Sequence, residues 1–252
     1  MSSTAAFLAC FASILIGAAV GMVLRRSLPA DLLEGGSKEA IRLGAGFLST
    51  LAALVIGLMI ASAKNTYDNQ NSNIRQLGTN AVLVDQMLTK YGADAKAART
   101  LLREIIPSAT ARIWQENISG KGGGSSFAIS ETAERFYSAV EDLKPANAEQ
   151  TSLKSRIIQI TTDMGRTRLL VFTQADDAIP VPFFIVLLFW LVVIFASFSL
   201  FAEPRPIVIA STLVFALSVS SALFLIVDLS HPFQGLMQIS NRHLHMVLPT
   251  IE

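Results

Sequence analysis

The sequence predicts an all-α membrane protein: four transmembrane helices, two before and two after an α-helical extramembrane domain. Three observations carry that expectation. The 252 residues are 52% hydrophobic and only 15% charged, with a mean hydropathy of +0.50, well short of the roughly 25% charged residues of a soluble domain. Four apolar runs are each long enough, at about 1.5 Å per residue, to cross a hydrocarbon core about 30 Å thick. Between the second and third runs lies a polar stretch of about 115 residues without a spanning run, too long for a loop. The domains read as 1–63 (two spans), 64–180 (helical domain), 181–228 (two spans) and a tail over 229–252.

The first span covers about 5–24 and ends at Arg25 and Arg26. A signal peptide fits less well, because the start lacks basic residues and no small-residue cleavage site precedes the arginines. Cys10, the single cysteine, allows no intrachain disulfide and reads as a packing residue. Gly17 and Gly21 form a G-x-x-x-G pair, which lets two helices approach closely in lipid.

After a short loop with Pro29, Gly35 and Gly36, the second span runs over about 43–63 and passes without a breaker into a polar helix ending near Tyr91, with Gly92 as its cap. One helix on the order of 70 Å results. In its polar half Tyr67, Ile74, Ala81 and Leu88 recur every seventh residue, interleaved with Gln70, Leu77, Val84 and Tyr91, a coiled-coil-like seam. In its apolar half Gly46, Thr50, Ala53, Gly57 and Ala61 form a small-residue stripe leading to Lys64, while Phe47, Leu51, Leu54 and Leu58 make a bulkier face. The stripe has two readings: close helix packing, which small side chains permit in lipid, or a pore wall with Lys64 attracting anions at its mouth.

The polar region continues with a helix from Asp94 to about Gln115, interrupted by Pro107, which should kink it. The segment SGKGGGSS, from Ser119 to Ser126, reads as a flexible loop; it does not match a phosphate-binding loop and no strand precedes it. Ser130 caps a helix to about Leu143, with Phe136, Val140 and Leu143 on one face. From Leu153 on, Ile157, Ile160, Met164 and Val171 can lie against the heptad seam, giving an antiparallel stalk. Asp176 and Asp177 are either solvated or a cation site at the membrane surface.

The third span covers about 181–202 and the fourth about 206–227, joined only by Glu203, Pro204 and Arg205. Four spans put both termini and the helical domain on one side, and the distribution of Lys and Arg does not decide which side. Asp228 at the lipid boundary is costly unless paired or hydrated, so it should anchor something. His231, His243 and His245 raise a zinc site or a proton sensor, yet the His243-x-His245 spacing does not suit a helix and no cysteine is near; solvated interfacial histidines are the simpler reading.

No catalytic motif or paired intramembrane carboxylate is present, so no enzyme, cofactor or metal is expected, and intramembrane charge is too sparse for an ion-coupled transporter. A net charge of +1 gives no nucleic-acid signature. The lipid bilayer, small inorganic ions and further copies of the chain are the partners expected.

RRSLP at Arg25 to Pro29, ASAKNTYDNQ at Ala61 to Gln70, and VDLSHPFQG at Val227 to Gly235 followed by Ile239 and Ser240 resemble the bestrophin-like bacterial membrane proteins, most specifically at Tyr67, Asp68, Asp228, Pro232, Phe233 and Gly235. The resemblance covers nearly the whole chain and extends remotely to bestrophin channels. It implies two spans, a cytoplasmic helical domain and two more spans in a bacterial inner membrane, and it admits a homopentamer conducting anions past the second span. The calcium-binding clasp of animal bestrophins is not recognisable, and their bulky second-span neck is matched only loosely by Phe47, Leu51 and Leu54; calcium gating is not carried over. The resulting expectation is a homo-oligomeric, anion-favouring channel in which Lys64 sets the mouth potential, Tyr67 and Asp68 couple the two halves, and Asp228 with the HPFQG turn clamps the fourth span. The rival expectation is a non-conducting scaffold or sensor acting through its helical domain.

Overall fold

The computed structural model of the chain describes residues 3–29, 35–119, 130–173 and 181–239. The glycine-rich segment at 120–129, Asp176, Asp177, His243 and His245 lie outside them. All regular structure among the described residues is helical: α1 (Ser3–Ser27), α2 (Gly36–Tyr91), a 3-10 turn (Ala93–Ala95), α3 (Lys96–Ser119), α4 (Glu131–Glu141), α5 (Ala148–Thr173), α6 (Val181–Phe201) and α7 (Pro206–Leu229). Four of them, α1, α2, α6 and α7, are long and apolar enough to cross a membrane, which makes this a multi-pass membrane protein. One boundary differs from expectation. The second helix begins at Gly36, seven residues before its apolar run, because Ser37, Lys38 and Glu39 are compatible with a helix although not with lipid. Pro107, where the sequence places a kink, lies inside α3.

The chain divides into two compact units, one of Met1–Thr66 with Ala178–His231 and one of Tyr67–Asp177 with Pro232–Glu252. In the first, α1 packs on α6 and α7. Its core includes Cys10 and Ile14 of α1, Leu187 and Ile194 of α6, and Leu223 and Ile226 of α7. The two glycines of α1 make this possible. A Cβ at Gly17 would lie 2.6 Å from the carbonyl oxygen of Val192, and one at Gly21 would strike the backbone of Ala196 and the side chain of Ser199. Backbone against backbone is how helices gain contact where lipid offers no hydrophobic drive. The half-buried Ser197 of α6 returns its hydroxyl to its own backbone, donating to the Val193 carbonyl at 2.8 Å.

The second unit is built on the heptad seam. Of its eight positions, seven are buried and Tyr67 is half-buried. Leu88 and Tyr91 meet Ile157, Phe136 and Val140 in one cluster, and Ile74 and Leu77 meet Ile113, Val171 and Phe172 in another. α5 therefore runs antiparallel to this half of α2. Two glutamines mark the register: Gln70 donates to the Val171 carbonyl at 3.2 Å and Gln150 to the Tyr91 carbonyl at 3.0 Å. From 70 to 91 on α2 and from 150 to 171 on α5 is 21 residues in each case, three heptads, so the helices keep step along the whole seam. Each bond satisfies a carbonyl in the last turn of the opposite helix, where no intrahelical donor remains. Lys154 does the same for α4, donating to the carbonyls of Glu141 at 2.6 Å and Leu143 at 2.8 Å. Ser130 caps α4, accepting from the Ala133 N–H at 3.3 Å, and the chain leaves α2 at Gly92 with φ +110°.

Candidate functional site

The membrane half of α2 presents three faces. Ala45, Ala52, Met59 and Ala63 are buried, and the last three belong to the core of their unit. At about 100° per residue, the small-residue stripe and the bulky face each stand roughly a third of a turn from that packed edge, on opposite sides of it. Gly46, Thr50, Ala53, Gly57, Ala61 and Lys64 are all exposed. No atom lies within 4 Å of where a Cβ would sit at Gly46 or Gly57. Phe47 and Leu58 are 68% and 63% exposed, so the bulky face also points away from the chain's own helices. Thr50 keeps its hydroxyl satisfied by donating to the Gly46 carbonyl at 3.1 Å.

The remaining motif residues fall close, along the chain, to the two positions where one unit gives way to the other, between Thr66 and Tyr67 and between His231 and Pro232. Tyr67 packs on the cluster of Ile74, Ile113 and Val171; Asp68 is exposed. Asp228 is buried, 1% exposed, and accepts a bond from the hydroxyl of Ser3 at 3.1 Å. Ser3 opens α1, so this carboxylate stands at the positive end of that helix, which favours a negative charge there. What Asp228 anchors is the start of the first span. His231 follows at the end of α7, its Nδ1 2.8 Å from the Val227 carbonyl oxygen. A carbonyl only accepts, so Nδ1 carries the proton and the ring caps the helix.

Beyond His231 the chain closes a loop in which the Ile239 N–H donates to the Pro232 carbonyl at 2.8 Å. Gly235 takes φ +87° inside it, a conformation that disfavours any side chain. Pro232 is buried. Phe233 is buried edge-on against Trp114, centroids 5.5 Å apart, in the cluster that holds Val171 and Ile239. Pro232, Phe233 and Gly235 thus shape and anchor one turn of the second unit, buried at Pro232 and Phe233 and exposed at Gly235.

One functional-looking pair has no place in the motifs. Asp85 of α2, nearly buried, accepts both Arg99 Nε at 2.6 Å and Arg99 Nη2 at 2.9 Å. The carboxylate lifts the guanidinium pKa further above its already high value, hydrogen bonding being the main cause, and the fork geometry locks α3 to α2. The only hint in sequence is that Asp85 adjoins the seam residue Val84. Among the described residues no group of three His, Cys, Asp or Glu side chains could hold a metal.

No curated protein and no solved structure matches the chain. A family model described as the bestrophin-like domain matches residues 11–244, from the first span through the turn after α7. With nearly its whole length covered and its motif residues grouped at the two crossings, the chain belongs to the bestrophin-like family.

Proposed function

We propose that the chain is the subunit of a homo-oligomeric ion channel in the bacterial inner membrane, anion-favouring, with α2 along the conduction path and the helical unit on the cytoplasmic side. The observation that carries this reading is the outward small-residue face of α2. A repeated small face on a spanning helix is of use against another helix or against water. Its own chain, among the described residues, brings neither to Gly46 or Gly57. Identical copies around an axis, a homopentamer being one form, account for both outward faces of α2, because one meets the neighbour and the other meets the path. Lys64 ends the stripe and supplies positive charge at the mouth, which draws anions in. No catalytic step belongs to this reading.

Flux of anions and cations through liposomes holding the full chain tests it, with oligomer mass checked in the same preparation. The expected result is flux in the wild type that is lost in a Gly57→Trp variant of unchanged mass, and a weakened anion preference in Lys64→Glu. An intact wild-type oligomer that passes no ion at any voltage overturns the channel. A scaffold reading is favoured by one observation: the adjacent Leu169 and Leu170 of α5 are 42% and 46% exposed, apolar side chains on the polar unit that a partner would cover.

A further inference from the structure

A cavity of about 550 Å³ opens between the end of α6 and the first half of α7, within the size range of a small-ligand site. Its lining includes Phe195 and Phe198 of α6, Phe201 at the end of that helix, Phe215 of α7, and Arg42 of α2. Along α7 it extends from Val208 to Val219, roughly 16 Å at the helical rise. The cavity is therefore long and runs from the level where the span begins into the apolar layer.

Serines and a threonine recur in its lining, which at first suggests a wet vestibule. Their hydroxyls say otherwise. Ser197 donates to the Val193 carbonyl, Ser211 and Thr212 to that of Val208, and Ser218 to that of Val214, at 2.8–2.9 Å. Each of these four donates its proton to its own helix, so of the five lining hydroxyls only that of Ser199 is not spent in this way. Water or a hydrated ion would find few partners there, whereas a hydrocarbon chain fits. Arg42 supplies the opposite requirement. Its guanidinium has no ion pair or hydrogen bond among the described residues, and it sits where the apolar run of α2 starts, at headgroup level. A planar fork of donors over an apolar trench suits a phosphate with an acyl chain attached.

We propose that this cavity binds an anionic glycerophospholipid of the surrounding bilayer, its acyl chain lying between Phe198 and Phe215 and its phosphate meeting Arg42. The site does not depend on conduction and stands or falls separately from it.

The test uses the full chain in detergent, equilibrated with equal amounts of phosphatidylglycerol and phosphatidylcholine, with retained lipid per chain measured after gel filtration. Wild type is expected to retain phosphatidylglycerol preferentially. Arg42→Gln should lower that retention about fivefold, the loss of one favourable cation at the membrane surface, and leave phosphatidylcholine unchanged, while Arg42→Lys keeps most of it. Lys38→Gln, one turn earlier on the same helix and outside the lining, should change nothing. Ser218→Phe, which fills the deep end, should reduce both lipids; should that variant not fold, the Arg42 series decides alone. Equal retention of the two lipids by wild type, no effect of Arg42→Gln, an equal loss in Lys38→Gln, or unchanged retention in a folded Ser218→Phe each overturns the site. So does an intact protein that holds no lipid, which would leave a second copy of the chain as the cover of this cavity.

Discussion

Gly21 in the unit of apolar helices and Leu88 in the polar unit both sit where two helices meet, and they hold those contacts by opposite means. At Gly21 the absence of a side chain lets α1 rest on the backbone of α6. At Leu88 a large side chain fills the seam between α2 and α5. The difference follows from the solvent each unit is suited to. Beside lipid, burying a leucine gains nothing that lipid does not already offer, so contact comes from close approach. Beside water, burying leucine is itself the drive, and most polar groups in or beside the seam find a partner there, as do the Gln70 and Gln150 amide N–H groups and the Asp85–Arg99 fork. α2 belongs to both regimes, since its first half lies in one unit and its second half in the other.

The sharpest way to break the comparison is to give both glycine environments the same leucine. Gly21→Leu forces a side chain into the Ala196 backbone and should cost about 3 kcal/mol or more, seen as loss of monodisperse protein in detergent. Gly57→Leu meets open space and should leave subunit stability within about 0.5 kcal/mol, while altering assembly or flux. If both variants purify alike, close α1–α6 approach does not hold the unit together.

Asp85→Ala comes next, because it strands the Arg99 guanidinium. A fully buried broken pair costs about 3–5 kcal/mol, but Arg99 keeps a 29% exposed side chain, so about 2 kcal/mol is expected. Chemical denaturation followed by helical signal measures it, and an unchanged midpoint would show the fork to be decorative. A smaller effect belongs to Tyr137, whose hydroxyl donates to the Thr161 carbonyl at 3.1 Å. Burial raises its pKa above the ordinary 10, with Arg168 opposing. A raised folded pKa means the contribution is complete below pH 10 and is lost as pH climbs through the folded value. Tyr137→Phe should cost about 1 kcal/mol near neutrality and flatten the alkaline fall in stability; an unaltered alkaline limb would remove Tyr137 from its cause.

Much of this architecture was legible in the residues because periodicity survives whatever surrounds it. The seam from Tyr67 to Tyr91, the G-x-x-x-G at Gly17 and Gly21, the Ser130 cap and the four apolar runs all announce themselves locally. The start of α2 at Gly36 did not, since hydropathy reports where lipid begins and not where the helix does. The Asp85–Arg99 fork and the Trp114–Phe233 contact join residues on different elements, and nothing in either neighbourhood names the other. The stripe on α2 was visible as a stripe; that it turns away from its own chain depends on which edge carries Ala52, Met59 and Ala63 into the core, a choice made by α1, α6 and α7 together.

The finest test of the polar unit lies at Gln70, which is fully buried and uses only half its amide: Nε2 holds the Val171 carbonyl and Oε1 has no partner among the described residues. Gln70→Leu removes a bond worth about 1 kcal/mol. It also removes a desolvated oxygen that costs a similar amount, and it adds apolar contact to the seam. Global stability should therefore move by less than about 0.5 kcal/mol. The local consequence differs, because the Val171 carbonyl loses the donor that closes the last turn of α5. Hydrogen exchange at the end of α5 should quicken several-fold while the rest of the seam keeps its protection. A seam that instead loosens along its length would mean that Gln70 fixes the three-heptad register of α2 against α5, and that the leucine and isoleucine positions alone do not.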